Sequence, residues 1–261
     1  MSRVAFLVYA ALTALALVAP RALPKGRRFR TGLAVVALLG ILFKAALSVS
    51  KDVEPWFDGW DGFVYFERDF AVPFGAFFFA VASGLLDEPR NQRAVKIMPG
   101  LLLAYLALVN LWVFGTPACY TKSDGIWRQG VCIQSTDYTC GPAALATLLR
   151  AKGVKTTEHD CARESDTVPD RGVTDLGATM ALRHLLPGSK VAIRRVSIDG
   201  LKDVAVPALL PLRFNFWFDH MTVLLGVEGD AFLVGDPLRG PVHMARKELE
   251  ERYLGHVITV E

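Results

Sequence analysis

Gln134-Ser135-Thr136-Asp137-Tyr138-Thr139-Cys140-Gly141-Pro142-Ala143-Ala144 decides how the second half of this 261-residue chain is read. The run from Pro142 to Lys152, stopped by Gly153, predicts a helix: proline suits an early helical position, where its missing N–H costs nothing, and glycine suits the end. Cys140 then stands at the helix start, facing unpaired N–H groups and the positive end of the macrodipole. That place favours thiolate over thiol, and thiolate is the nucleophile. Gln134, six residues upstream, is able to return through a loop and present its side-chain amide where an oxyanion would form.

Such chemistry needs a base. Of His159, His184, His220, His243 and His256, the best placed is His220, at the head of the apolar strand Met221 to Val227. Gly226 to Asp230 reads as a hairpin turn, and the next strand ends at Gly235-Asp236-Pro237. Antiparallel neighbours joined this way return Asp236 to His220, where a carboxylate orients the imidazole. Taken singly, Cys140 reads equally as an inert thiol or half of a disulfide, and Asp236 as a turn former. Cys119, Cys132, Cys140 and Cys161 lack the paired spacing of a zinc site. Neither a metal nor a cofactor is expected.

Around these residues, Thr174 to Leu186 predicts a second helix. Lys190 to Val196, Ala208 to Phe216, Met221 to Val227, Ala231 to Val234 and His256 to Val260 predict strands, with a short helix from Arg246 to Tyr253. Pro211 argues that its strand lies at an edge or is broken. Helices first and strands later suggest an α+β domain.

Gln134 through Ala144, the strand opening with His220, Gly235-Asp236-Pro237 and the entry Arg171-Gly172-Val173-Thr174 resemble the bacteriocin-processing peptidases. These papain-like cysteine peptidases remove double-glycine leaders. The resemblance spans roughly residues 128 to 260. It implies a papain-like fold with Cys140 as nucleophile, His220 as general base and acid, Asp236 as the orienting residue and Gln134 as oxyanion donor. Many members are fused to six-span transporters with a nucleotide-binding domain, and no Walker motif occurs in this chain.

The first 115 residues read differently. The whole chain is 52% hydrophobic and 21% charged, with mean hydropathy +0.33, and the apolar excess lies there. Val4 to Ala19, Gly32 to Ser50, Phe70 to Leu86 and Ile97 to Phe114 predict about four transmembrane helices. This all-α membrane anchor, 1–115, precedes a peptidase domain at 116–261. Arg21, Lys25, Arg27, Arg28 and Arg30 follow the first span, and Arg90, Arg93 and Lys96 the third. The positive-inside rule assigns both loops to the cytoplasm and the peptidase domain to the periplasm or exterior. The loop between the second and third spans is acidic and aromatic, with Trp56, Phe57, Trp60, Phe63, Tyr65 and Phe66 suited to the headgroup layer. From residue 116 onward, 17 Lys/Arg meet 18 Asp/Glu, so a basic nucleic-acid face is excluded.

An exterior location allows Cys119 to pair with Cys132, closing a loop before the active-site segment. The expected function is hydrolysis of a peptide bond in a secreted or membrane-associated peptide or protein, through a Cys140 thioester. The expected partners are that substrate, the bilayer and an export or transporter system. Two alternatives stand beside it: a non-cleaving peptide-binding module of an export system, and a thiol-dependent acyl transferase.

Overall fold

The computed structural model describes residues 8, 11–16, 18, 26–49, 57, 60, 63, 71–87, 89–115, 125–169, 172–215 and 218–261. The chain divides into two units, 1–53 with 62–115, and 54–61 with 116–261. In the first unit, helix α1 spans Arg27–Val49, α2 spans Ala71–Ala82 and α3 spans Pro89–Gly115. Within α1 and α3, Arg27–Ala46 and Asn91–Val109 are long and apolar enough to cross a membrane. The 12-residue α2 covers about 18 Å at 1.5 Å per residue, short of the ~30 Å hydrocarbon layer. Of the first predicted span, residues 8, 11–16 and 18 are helical. Two basic stretches expected as loops are partly helix: Arg27, Arg28 and Arg30 lie in the first turns of α1, and Arg90, Arg93 and Lys96 in those of α3.

The second unit begins with a small hairpin, β1 (Ile126–Arg128) and β2 (Val131–Ile133), followed by helices α4 (Cys140–Ala151), α5 (Glu158–Glu164) and α6 (Asp175–Leu185). Strands β3 (Val191–Arg195), β4 (Ala208–Arg213), β5 (Asp219–Glu228), β6 (Ala231–Asp236), β7 (Gly240–Ala245) and β8 (His256–Val260) form one antiparallel sheet of order β3-β8-β4-β5-β6-β7. Helix α7 (Arg246–Arg252) joins β7 to β8. Because side chains alternate along a strand, the sheet feeds two cores. On one face Leu209, Met221, Val223, Ile258 and Val260 pack with Leu145, Leu148 and Leu149 of α4 and Leu182 of α6. On the other, Leu210, Leu224, Phe232, Val234 and Val257 pack with Leu201 and with Leu249 of α7.

Three expectations are corrected. Strand β4 is internal despite Pro211. It pairs with β5 from Ala208↔Leu224 to Arg213↔Asp219 but meets β8 only at Leu209↔Ile258, so the proline lies past the end of that second ladder, a locally edge-like setting. The β5–β6 turn is only Gly229-Asp230, with Glu228 already paired to Ala231; a glycine at φ +62° makes so short a loop possible. Strand β7, with Pro241 on the outer edge of the sheet, and helix α5 carry too weak a period to be read in advance. Cys119, Arg171 and Phe216 lie outside the described residues, and with Cys119 the pairing expected for Cys132.

Candidate active site

Cys140 is the first residue of α4. Pro142 occupies the third position, where no intrahelical N–H bond is lost. The turn before it is fixed from several sides. The Gln134 N–H donates to the Pro237 carbonyl (3.0 Å), and the Ser135 N–H to the buried Glu158 carboxylate (2.8 Å). Thr139, fully buried, accepts from the Thr136 N–H (3.1 Å) through its hydroxyl. Gly141 is required by a neighbour, since a Cβ there would collide with Val173. At Gly172, with φ +72°, an added Cβ would lie 2.8 Å from the Tyr138 carbonyl oxygen. The segment entering α6 thus braces the cysteine turn.

His220 stands near the head of β5 and Asp236 at the end of β6. A break in register brings them together. The pairs run Gly226↔Leu233 but then Leu224↔Val234, leaving Leu225 as a bulge. One step further, Asp236 stands opposite Thr222 and diagonal to His220, on the same face. A regular ladder would set Asp236 opposite Val223, whose side chain belongs to the other face, because a one-residue slip reverses every side chain. In place, His220 Nε2 and Asp236 Oδ1 are 2.8 Å apart, with both side chains buried. The other ring nitrogen, Nδ1, is the one not turned to Asp236, and the Cys140 thiol is an electrostatic neighbour of the imidazole.

Electrostatics follow from this packing. Burial alone would push the Cys140 thiol up, but the His220 ring and the backbone N–H groups of Met221 and Gly141 outweigh it, and the thiol lies below its usual value of 9.0. Burial disfavours the charged imidazole of His220, yet Asp236 and Cys140 reverse the sign and raise it to about 9. Burial also acts against the Asp236 carboxylate; His220, the Leu238 N–H and Arg239 hold it below the ordinary carboxylate range. The three directions agree on a thiolate–imidazolium pair oriented by a carboxylate.

The chain from 128 to 261 matches the model of the peptidase C39 family. The chain belongs to the peptidase C39 family. An uncharacterized protein of Methanothermobacter thermautotrophicus is 28% identical over 142 residues, 54% of this chain and 95% of its own length. A probable functional amyloid protease, FapD, of Pseudomonas aeruginosa is 27% identical over 183 residues, 62% of this chain and 80% of its own length. Among solved structures, a double glycine motif protease from an AMS/PCAT transporter, in complex with the leader peptide, superposes with TM-score 0.45 at 23% identity. It covers 54% of this chain and 94% of that one.

In this C39 domain Gln134 differs from expectation in one respect. Its Nε2 donates to the Thr136 carbonyl at 2.6 Å, so one of its two N–H groups is engaged within the turn. Its Oε1 is buried without a partner among the described residues. The neighbourhood also contains residues that sequence reasoning passed over. Arg239 Nε lies 3.1 Å from Asp236 Oδ2, a contact hidden in the i, i+3 spacing of the Asp236–Arg239 turn. The Phe214 ring lies 5.8 Å from that of His220, and Phe214 and Phe218 are 57% and 60% exposed. Among the described residues no group of three or more His, Cys, Asp or Glu is arranged to hold a metal.

Proposed function

We propose that this C39 cysteine peptidase is membrane-anchored and cleaves a peptide bond in a secreted or membrane-associated protein, with Cys140, His220, Asp236 and Gln134 as its machinery. The single observation that carries the reading is the continuous arrangement of a helix-start thiol, an imidazole and a buried carboxylate, with His220 and Asp236 at 2.8 Å.

The Cys140 thiolate adds to the scissile carbonyl carbon, and the electron pair passes to the carbonyl oxygen. The remaining N–H of the Gln134 amide and the start of α4 receive that charge. As the C–N bond breaks, the His220 imidazolium gives its proton to the departing amine. Neutral His220 then takes a proton from water as the water oxygen attacks the thioester. Collapse releases the carboxylic acid and restores the thiolate–imidazolium pair. Phe214 and Phe218, exposed beside His220, suit an apolar side chain of the substrate near the cleavage point. The likeness to a protein named a probable functional amyloid protease extends over more of the chain than the stretch 128–261. It favours an exported, assembly-forming protein as the substrate class.

The anchor reading rests on α1 and α3. Both have the composition and length to cross a membrane, and both begin in basic residues. By the positive-inside rule both helices leave the cytoplasm at those ends, so the chain after Gly115 emerges on the exterior side. The 1–115 anchor with four spans, and the pairing of Cys119 with Cys132, belong to this same reading. A reporter fused after Glu261 should be active only in its exported form; activity confined to the cytoplasm would reverse the sidedness. Incubating the full chain with a preparation of exported proteins and sequencing new N-termini should find cleavage that is lost in Cys140→Ala. An amine-capped product in place of a free carboxylate would transfer the reading to acyl transfer.

A further inference from the structure

We propose that Arg239 is a positioning residue for the His220–Asp236 pair, holding the carboxylate in its reactive orientation and sharing its charge so that the imidazolium releases its proton more readily. The inference deepens the peptidase reading and rests on it.

Asp236 is 2% exposed and has each oxygen engaged. Oδ1 faces His220 Nε2 at 2.8 Å and accepts the Leu238 N–H at 2.9 Å. Oδ2 faces Arg239 Nε at 3.1 Å. The turn that sets this geometry is closed on itself by the Arg239 N–H donating to the Asp236 carbonyl (3.1 Å). It is held from β1 by Arg128, whose guanidinium donates to the Arg239 carbonyl (2.8 Å). With both oxygens engaged, the carboxylate plane is fixed, and so is the ring that hydrogen-bonds to it.

The charge arithmetic has one sign. The guanidinium attracts carboxylate charge away from the imidazolium and is itself a like charge to it; both effects ease proton loss from His220. This matters at the step in which His220 delivers its Nδ1 proton to the leaving amine, because an imidazolium held too tightly by an unshared carboxylate is a weaker acid. Arg239 touches neither thiol nor substrate in this account, so it acts through Asp236. Its side chain is 53% exposed, which makes the effect modest and sensitive to salt.

The test uses the full chain in detergent micelles and the rate of Cys140 alkylation by iodoacetamide as a function of pH. The rate should rise in two steps: an acid step as the thiolate–imidazolium pair forms, and an alkaline step as His220 loses its proton. Arg239→Gln should move the alkaline step up by about 0.2–0.7 pH unit. Arg239→Lys should return most of that shift, and added NaCl should raise the alkaline step of the natural protein more than that of Arg239→Gln. An alkaline step that is unmoved or lowered in Arg239→Gln overturns the proposal, whatever happens to the melting temperature. If Arg239→Gln does not fold, the salt response of the natural protein decides, and an alkaline step unmoved or lowered by NaCl overturns the proposal. Failure of the underlying peptidase reading looks different: a single ordinary thiol step, unchanged by His220→Ala.

Discussion

His220–Asp236 and His256–Asp175 are two buried pairs with the same 2.8 Å separation in one small domain. Each has a strand histidine facing a carboxylate across the fold. The surroundings differ. His220 meets Cys140 at the start of α4, beside exposed Phe214, whereas His256, the first residue of β8, meets Asp175 in the first turn of α6. An oriented imidazole is therefore a structural commonplace here, and the thiol at a helix start turns one of them into chemistry. The cysteines repeat the lesson. Cys140 is held below its ordinary value by its neighbours, while Cys161, buried within α5 where desolvation dominates, is pushed up to about 12.

The comparison breaks most severely at His220. His220→Ala should lower peptide cleavage by about 10²–10⁴-fold with the circular dichroism spectrum unchanged. His256→Ala should instead cost about 1–3 kcal/mol of stability, because the buried Asp175 Oδ2 would lose its 2.8 Å hydrogen-bond partner, while the folded fraction still cleaves. Equal catalytic loss in both variants would erase the distinction. Next comes Gln134→Ala, expected to lower kcat by about 10²–10³-fold if its free N–H meets the oxyanion. A rise in KM with kcat unchanged would assign it to holding the turn through Thr136.

The pH profile tests the same contrast. Activity should appear as pH rises through the lowered Cys140 value, because the thiolate forms there, and should decline as pH rises through about 9, where His220 loses the proton it must donate. Cys161 should stay unalkylated at any pH short of about 12 until the domain unfolds. The bulge offers an indirect route to the same loss. Shortening β5 by deleting Leu225 regularises the ladder and sends His220 and Asp236 to opposite faces; among variants still folded, Cys140 alkylation should resemble that of His220→Ala.

Much of this was legible in the sequence because it is local. Cysteine, glycine and proline at a helix start form a pattern of a few residues, and the strands carrying His220 and Asp236 are apolar runs with a glycine turn between them. The bulge at Leu225 was not legible, because register is chosen by which face packs, a decision of the whole sheet. Pro211 misled for the same reason: whether a proline breaks a strand depends on how far its neighbour extends. Arg239 was hidden because its partner is a buried oxygen whose direction only the folded turn determines. In the first 115 residues, Arg27 and Arg90 read as loop residues by charge, yet α1 and α3 start among them, which moves the helix boundaries.

The most direct measurement is mass-spectrometric mapping of the folded full chain after brief exposure to iodoacetamide at pH 7, natural protein beside His220→Ala. Fast labelling of Cys140 alone is expected in the natural protein, slowed at least tenfold when His220 is lost, as an ordinary thiol is about 3% ionised at pH 7. Labelling of Cys140 at the same rate in both, or preferential labelling of Cys161, would contradict the thiolate–imidazolium pair on which everything else rests.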